Sequence, residues 1–220
     1  MTVESLYPFL YDGETDGEAL LQRATRSTAE KVAEIRELRA SVIDELGDAL
    51  EGCARALAAA LTNGGRLYTF GNGGSSTDAG DIAHLFVRPP RGRAFPAVCL
   101  TSDAAALTAL ANDVGFDLVF ARQLAAFARR GDVAVGVSTS GGSENVLRAF
   151  DEARRLGLVT VGIAGYDGGA MAQSATIDHL FVVPSASVHR IQEAQTTVYH
   201  VLWALTQEAL TQEAPAPTPR

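Results

Sequence analysis

Residues Arg66 to Phe86 read RLYTFGNGGSSTDAGDIAHLF, and the rest of the chain is organised around them. Leu67, Tyr68 and Phe70 predict a short buried strand, followed by a tight turn through Gly71, Asn72, Gly73 and Gly74. The spacing then predicts a helix opening at Ser75 or Ser76. Glycine lets a backbone turn sharply and approach a ligand, because no Cβ stands in the way. Ser75, Ser76 and Thr77 fall where hydroxyls and unpaired N–H groups collect at a helix start, a place that attracts phosphate. A second strand, turn and helix follow in DVAVGVSTSGGSENV, Asp132 to Val146, with Ser138, Thr139, Ser140 and Ser143 in the turn. Two hydroxyl-rich turns in one small chain predict a single phosphate held from two sides. The plainer alternative is that both turns only cap helices.

Neither turn is a nucleotide motif. The first lacks the third glycine of G-x-G-x-x-G and the lysine of a P-loop.

Outward from these turns, helical periodicity runs from about Glu18 to Leu46 and again from Ala49 to Leu61, with Gly47 between them. This predicts an N-terminal helical hairpin, more helix than a minimal sheet needs, and hence packing on another subunit. Residues 1–14 are expected to form an arm, 15–213 one domain, and the proline-rich 214–220 a disordered tail. Further strands are predicted at Ala94–Leu100, Val133–Val137, Val159–Ala164 and His179–Val183. Helices are predicted at Ala104–Ala111, Leu118–Ala128 and Val188–Gln212. The basic run Arg88 to Arg93 reads as a solvated connection. Strands alternating with helices imply right-handed crossovers. The fold class is therefore α/β: a three-layer sandwich with five mainly parallel strands between helices. Ligands of such sheets lie beyond the carboxyl ends of the strands, where both serine-rich turns fall.

Composition agrees with this architecture. At 220 residues and 47% hydrophobic, the chain suffices for one α/β domain with a sizeable core. A net charge of −8 argues against nucleic acid or an anionic membrane as partner, yet amides and hydroxyls can still hold a small anion. Only Cys53 and Cys99 occur, which speaks against a disulfide framework or a cysteine zinc site and for a reducing cytoplasm. The acidic start has no basic-then-apolar leader, and no apolar run approaches about 18 residues.

The runs GNGGSSTDA, LTSDAAALTALANDVGFDLVFARQL, STSGGSENVLRAF, GIAGYDGGAMA and VPSASVHRIQEAQTTVYHVL, in that order, resemble the phosphoheptose isomerases of the SIS (sugar isomerase) group. The resemblance covers about Ala49 to Leu210. It implies interconversion of sedoheptulose 7-phosphate and a heptose 7-phosphate by a homotetramer with sites at subunit interfaces. Ser75, Ser138, Thr139, Ser140 and Ser143 match the family's phosphate-binding positions, and Asn72, Gly73, Asp113 and Gln192 its sugar-binding ones. His200 matches the catalytic histidine. Some members bind zinc through the positions of Gln192 and His200. The resemblance thus implies no required cofactor but allows zinc, with Asp81 as a third ligand.

One departure bears on the chemistry. After the glycine turn the family carries a histidine and, four residues on, a catalytic glutamate; here these positions are Asp81 and Leu85. Leucine neither abstracts a proton nor binds a metal. Aldose–ketose isomerisation through an enediol needs a base near C1 or C2 and an acid near the carbonyl oxygen. His200 fills one role. Asp81 and His84, three apart and so on one helix face, are candidates for the other. His84 read instead as a packing residue, and loss of the carboxylate, would fit a catalytically silent SIS protein that binds a sugar phosphate as a sensor or assembly partner.

Overall fold

The computed structural model of the chain describes residues 17–212; the expected arm at 1–14 and tail at 214–220 lie outside them. The described residues open with a single helix, α1 (Gly17–Thr62, 46 residues), which runs unbroken through Gly47. The expected hairpin is therefore corrected to one long helix. A lone glycine costs a helix only about 1 kcal/mol relative to alanine, too little to break the hydrogen-bond ladder between good helix formers on either side. Packing divides the chain after Leu38. Residues 17–38 bury no side chain and expose Leu20, Leu21 and Val32. From Val42 on, α1 buries Leu50, Cys53, Ala54, Leu57, Ala58 and Leu61, a stripe at helical spacing. No neighbour lies within 4 Å of a Cβ built at Gly47. Gly47→Ala is accordingly expected to stabilise the protein by about 0.5–1 kcal/mol, seen as a higher urea midpoint. A lower midpoint would mean that the glycine serves a bend.

The remaining elements are β1 (Leu67–Gly71), α2 (Gly74–Val87), β2 (Ala97–Cys99), α3 (Ala104–Asp113), α4 (Val119–Phe127), β3 (Val133–Ser138), α5 (Glu144–Leu156), β4 (Val159–Gly165), β5 (His179–Val183) and α6 (Val188–Gln212). The sheet order is β2-β1-β3-β4-β5 and every pairing is parallel. β2 is shorter than expected from the sequence. Pro96 has no N–H to give a ladder, so at this edge only Ala97–Cys99 pairs, and the Pro96 carbonyl accepts from Leu67 N at 3.0 Å.

The core shows why β3 needs a glycine. Phe70 of β1 packs edge-on against Phe150 of α5, ring centroids 5.4 Å apart, and against Phe120 of α4 at 5.5 Å. Gly136 sits opposite Phe70 in the register, and a Cβ there would lie 2.6 Å from Phe150 and 2.7 Å from Phe70. At the opposite end of these strands, the buried carboxylate of Asp132 accepts from Arg66 N at 2.8 Å and Arg129 N at 2.7 Å, tying together the starts of β1 and β3.

The basic loop is less free than a solvated connection. The side chain of Gln207 on α6 brackets the Arg93 backbone, accepting from its N–H at 2.8 Å and donating to its carbonyl at 2.9 Å, while Arg91 lies over Trp203. The pin comes from a residue more than 100 positions away, beyond the reach of local pattern. Among the described residues no helix is long and apolar enough to cross a membrane.

Candidate active site

β1 and β3 are neighbours, with Gly71 paired to Val137, so the turns that follow them must emerge side by side. A reciprocal amide pair joins them: Asn72 Nδ2 donates to Asn145 Oδ1 at 2.8 Å, and Asn145 Nδ2 to Asn72 Oδ1 at 2.9 Å. Each amide keeps one N–H and one lone pair for a further partner. The sequence reading missed Asn145; its one signal was a polar residue in the first turn of α5.

In the second turn the hydroxyls converge. Ser138 Oγ lies 3.1 Å from Ser143 Oγ and 3.5 Å from Ser140 Oγ, and Gly142 N donates to Ser140 Oγ at 3.2 Å. Ser143 is the N-cap of α5, but its hydroxyl makes no capping bond and instead faces Ser138. Capping alone therefore does not account for this turn. Thr139 is half-buried beside them. The next crossover, after β4, holds the loop from behind: Met171 N donates to the Gly141 carbonyl at 2.9 Å.

The first turn departs from expectation in detail. α2 opens at Gly74, a residue earlier than predicted, with Gly73 as an N-cap that has no side chain to offer. The Ser75 and Ser76 amides are not free; they bond to the carbonyls of Asn72 and Gly73, both at 3.0 Å. Ser75 is buried, and Ser76 Oγ donates to Thr101 Oγ1 at 2.6 Å.

α6 reaches the same place. The Gln192 amide lies so close to Gly74 that a Cβ there would be 2.0 Å from Nε2. Seven residues further along both helices, Tyr199 of α6 lies beside Asp81 of α2. Matched steps of seven mean that α2 and α6 descend side by side from the serine turns, about 10 Å over that interval. His200 is exposed, its ring stacked on Tyr199 with centroids 5.1 Å apart. Asp81 and His84 lie on the exposed face of α2 and Leu85 is half-buried. Asp113, exposed at the end of α3, accepts from Asn112 Nδ2 at 2.9 Å. Among the described residues no hydrogen bond joins it to either serine turn.

Asp78 is the residue that sequence pattern could not single out. It lies on the buried face of α2 with Ser75, Ala79, Ile82, Ala83 and Phe86, and its Oδ2 has no hydrogen-bond partner. Burial, and then the charge of Asp81, push its carboxyl up to about 6. Burial likewise raises the Tyr199 phenol to about 12, opposed by a bond with Thr196 and helped by the charges of Asp78 and Asp81. Since the Asp78 pKa is raised on folding, its contribution to stability is complete below about pH 4 and is lost as pH rises through about 6. Asp78→Asn is expected to raise stability at pH 8 by about 1–2 kcal/mol and to change it little at pH 4. Thermal melts at the two pH values check this; an equal shift at both would rule out charge as the cause.

A catalytic zinc takes three protein ligands. Here Leu85 supplies none, the Gln192 amide is turned onto Gly74, and the described residues gather no group of three or more His, Cys, Asp or Glu placed to hold a metal.

A five-stranded parallel sheet whose β1 and β3 crossovers emerge side by side, with α6 packed alongside, is the frame of a sugar-isomerase-type α/β domain. Residues 32–165 match the SIS domain family. The phosphoheptose isomerase of Solidesulfovibrio magneticus is 42% identical over 195 residues, 86% of this chain and 92% of that one. The structure of a phosphoheptose isomerase from Francisella tularensis superposes with a TM-score of 0.79 at 28% identity, covering 84% of this chain and 98% of that one. One from Neisseria gonorrhoeae gives 0.76 at 34% identity, covering 84% and 99%. The chain belongs to the phosphoheptose isomerase family.

Proposed function

We propose that the protein is an aldose–ketose isomerase acting on sedoheptulose 7-phosphate. The observation that carries the reading is the side-by-side descent of α2 and α6 from the serine turns. It supports the reading because Asp81 and the Tyr199–His200 stretch of α6 lie two helical turns, about 10 Å, beyond the serine turns, a span comparable to an extended seven-carbon phosphate. Ser75, Ser138, Thr139, Ser140 and Ser143 hold the phosphate, aided by the positive ends of α2 and α5. Asn72, Gly73, Asp113 and Gln192 orient hydroxyls. The His200 imidazole takes the proton from one carbon and returns it to the next, while Asp81 or His84 serves the carbonyl oxygen. No step needs a metal. Sites at subunit interfaces of a homotetramer suit the exposed Leu20, Leu21 and Val32 of α1, which gain cover on association.

Turnover of sedoheptulose 7-phosphate by the purified chain tests the reading, with loss of turnover in Ser138→Ala as the control. A hydrocarbon at Leu85 favours a second reading, a silent binder. Thermal stabilisation by the sugar phosphate without any turnover would select it. If the carboxylate is limiting, Leu85→Glu is expected to raise kcat by roughly tenfold or more. An unchanged rate would show that the existing residues already supply the acid or base.

A further inference from the structure

The end of the sheet remote from the serine turns carries a second concave site. Asn63, Gly64, Arg66, Arg129, Arg130 and Asp132 help to line a cleft of about 570 Å³, a volume within the range of small-molecule sites. Three arginines and one carboxylate line it, on a chain whose net charge is −8. That carboxylate is already engaged, because Asp132 accepts the Arg66 and Arg129 amides at 2.8 and 2.7 Å. The same two bonds fix the backbone from which two of the arginines spring.

None of the three arginines joins the ion pairs found among the described residues, which involve Arg55, Arg148, Arg154, Arg155 and Arg190. Two are nevertheless held in place. The Arg66 guanidinium lies close to the Tyr68 phenol, itself anchored by donating to the Phe127 carbonyl at 3.0 Å. Arg130 lies over Gly157, its Cζ 3.2 Å from where a Cβ would be. Surrounding amides are taken, Gly65 N by the Ala60 carbonyl and Gly131 N by that of Gly157, so recognition falls to the guanidinium forks. A planar fork matches phosphate oxygens two at a time, and pre-placed donors lose little freedom on binding.

We propose that this cleft binds a phosphate-bearing small molecule, as a site separate from the sugar-phosphate cleft. β1 runs from Leu67, beside Arg66, to Gly71 at the glycine turn, so about 17 Å of strand separates the two sites. One chain can fill both.

Isothermal titration of the full chain with inorganic pyrophosphate at low salt tests the proposal in three forms: unmodified, Arg66→Ala/Arg130→Ala, and Ser138→Ala/Ser143→Ala. Binding is expected to survive the serine changes, to weaken at least tenfold on loss of the arginines, and to fall as salt rises. Turnover of the sugar phosphate is expected to be unchanged in the arginine variant, so failure of the catalytic reading would leave this result standing. Should Arg66→Ala disturb the fold through Tyr68, Arg130→Ala alone is expected to weaken binding severalfold. No heat with the unmodified chain at millimolar pyrophosphate would overturn the proposal. So would binding abolished by the serine changes, binding indifferent to the arginines, or a cleft that takes an acidic peptide or oligonucleotide but not pyrophosphate.

Discussion

Replacing His200 with alanine is expected to lower kcat for sedoheptulose 7-phosphate by 10²- to 10⁴-fold, roughly 3–5 kcal/mol of transition-state stabilisation. The imidazole is exposed and its one described contact is the stack on Tyr199, so the variant is expected to fold like the parent. Binding of the sugar phosphate, followed by thermal shift, is expected to persist because the serine turns proposed to hold the phosphate are untouched. This separates loss of proton transfer from loss of binding. A fall of less than tenfold would remove His200 from the proton path and turn attention to Asp81, His84 and the buried Asp78. Asp81→Asn is the useful comparison. It keeps the shape beside Tyr199 while removing the charge.

Gly141→Ala is expected to damage stability and binding together. Gly141 has φ of +62°, a conformation an L side chain adopts at a cost of about 1–2 kcal/mol. A Cβ there would also lie 2.0 Å from the Gly168 carbonyl oxygen and 2.5 Å from its carbon. Both are backbone atoms of the turn after β4, so relief requires the two loops to separate, breaking the bond from Met171 N to the Gly141 carbonyl. The sum is expected to exceed about 3 kcal/mol, with KM for the sugar phosphate rising more than kcat falls. Chemical denaturation and steady-state kinetics check the two parts. An alanine variant as stable and as tight as the parent would mean that the β4 turn does not hold the phosphate loop.

The alternation of strand and helix was legible because it rests on local periodicity: β5 and α6 begin and end where their patterns do. The serine turns were legible for a related reason, since glycine and hydroxyl residues between a buried strand and a helix have few other uses. Gly47 shows the limit of local signals. As a breaker it suggested two helices, but the flanking residues outweigh one unfavourable position. The pin on the basic loop and the brace at Gly141 stayed hidden, because each partner lies far along the chain.

By itself, then, the order of residues determined the alternation of strand and helix from β1 onward, the parallel sheet and the place of the two serine-rich turns, all of which follow from short-range pattern and chain connectivity. Only the tertiary structure decided which side of α2 is buried. That choice isolates Asp78 from water while leaving Asp81 beside Tyr199, and it depends on how α6 packs. It also decided that Asn72 meets Asn145 and that three arginines gather around one cleft. Burial and convergence are properties of side chains brought together by the sheet, and periodicity along a single segment carries no record of them.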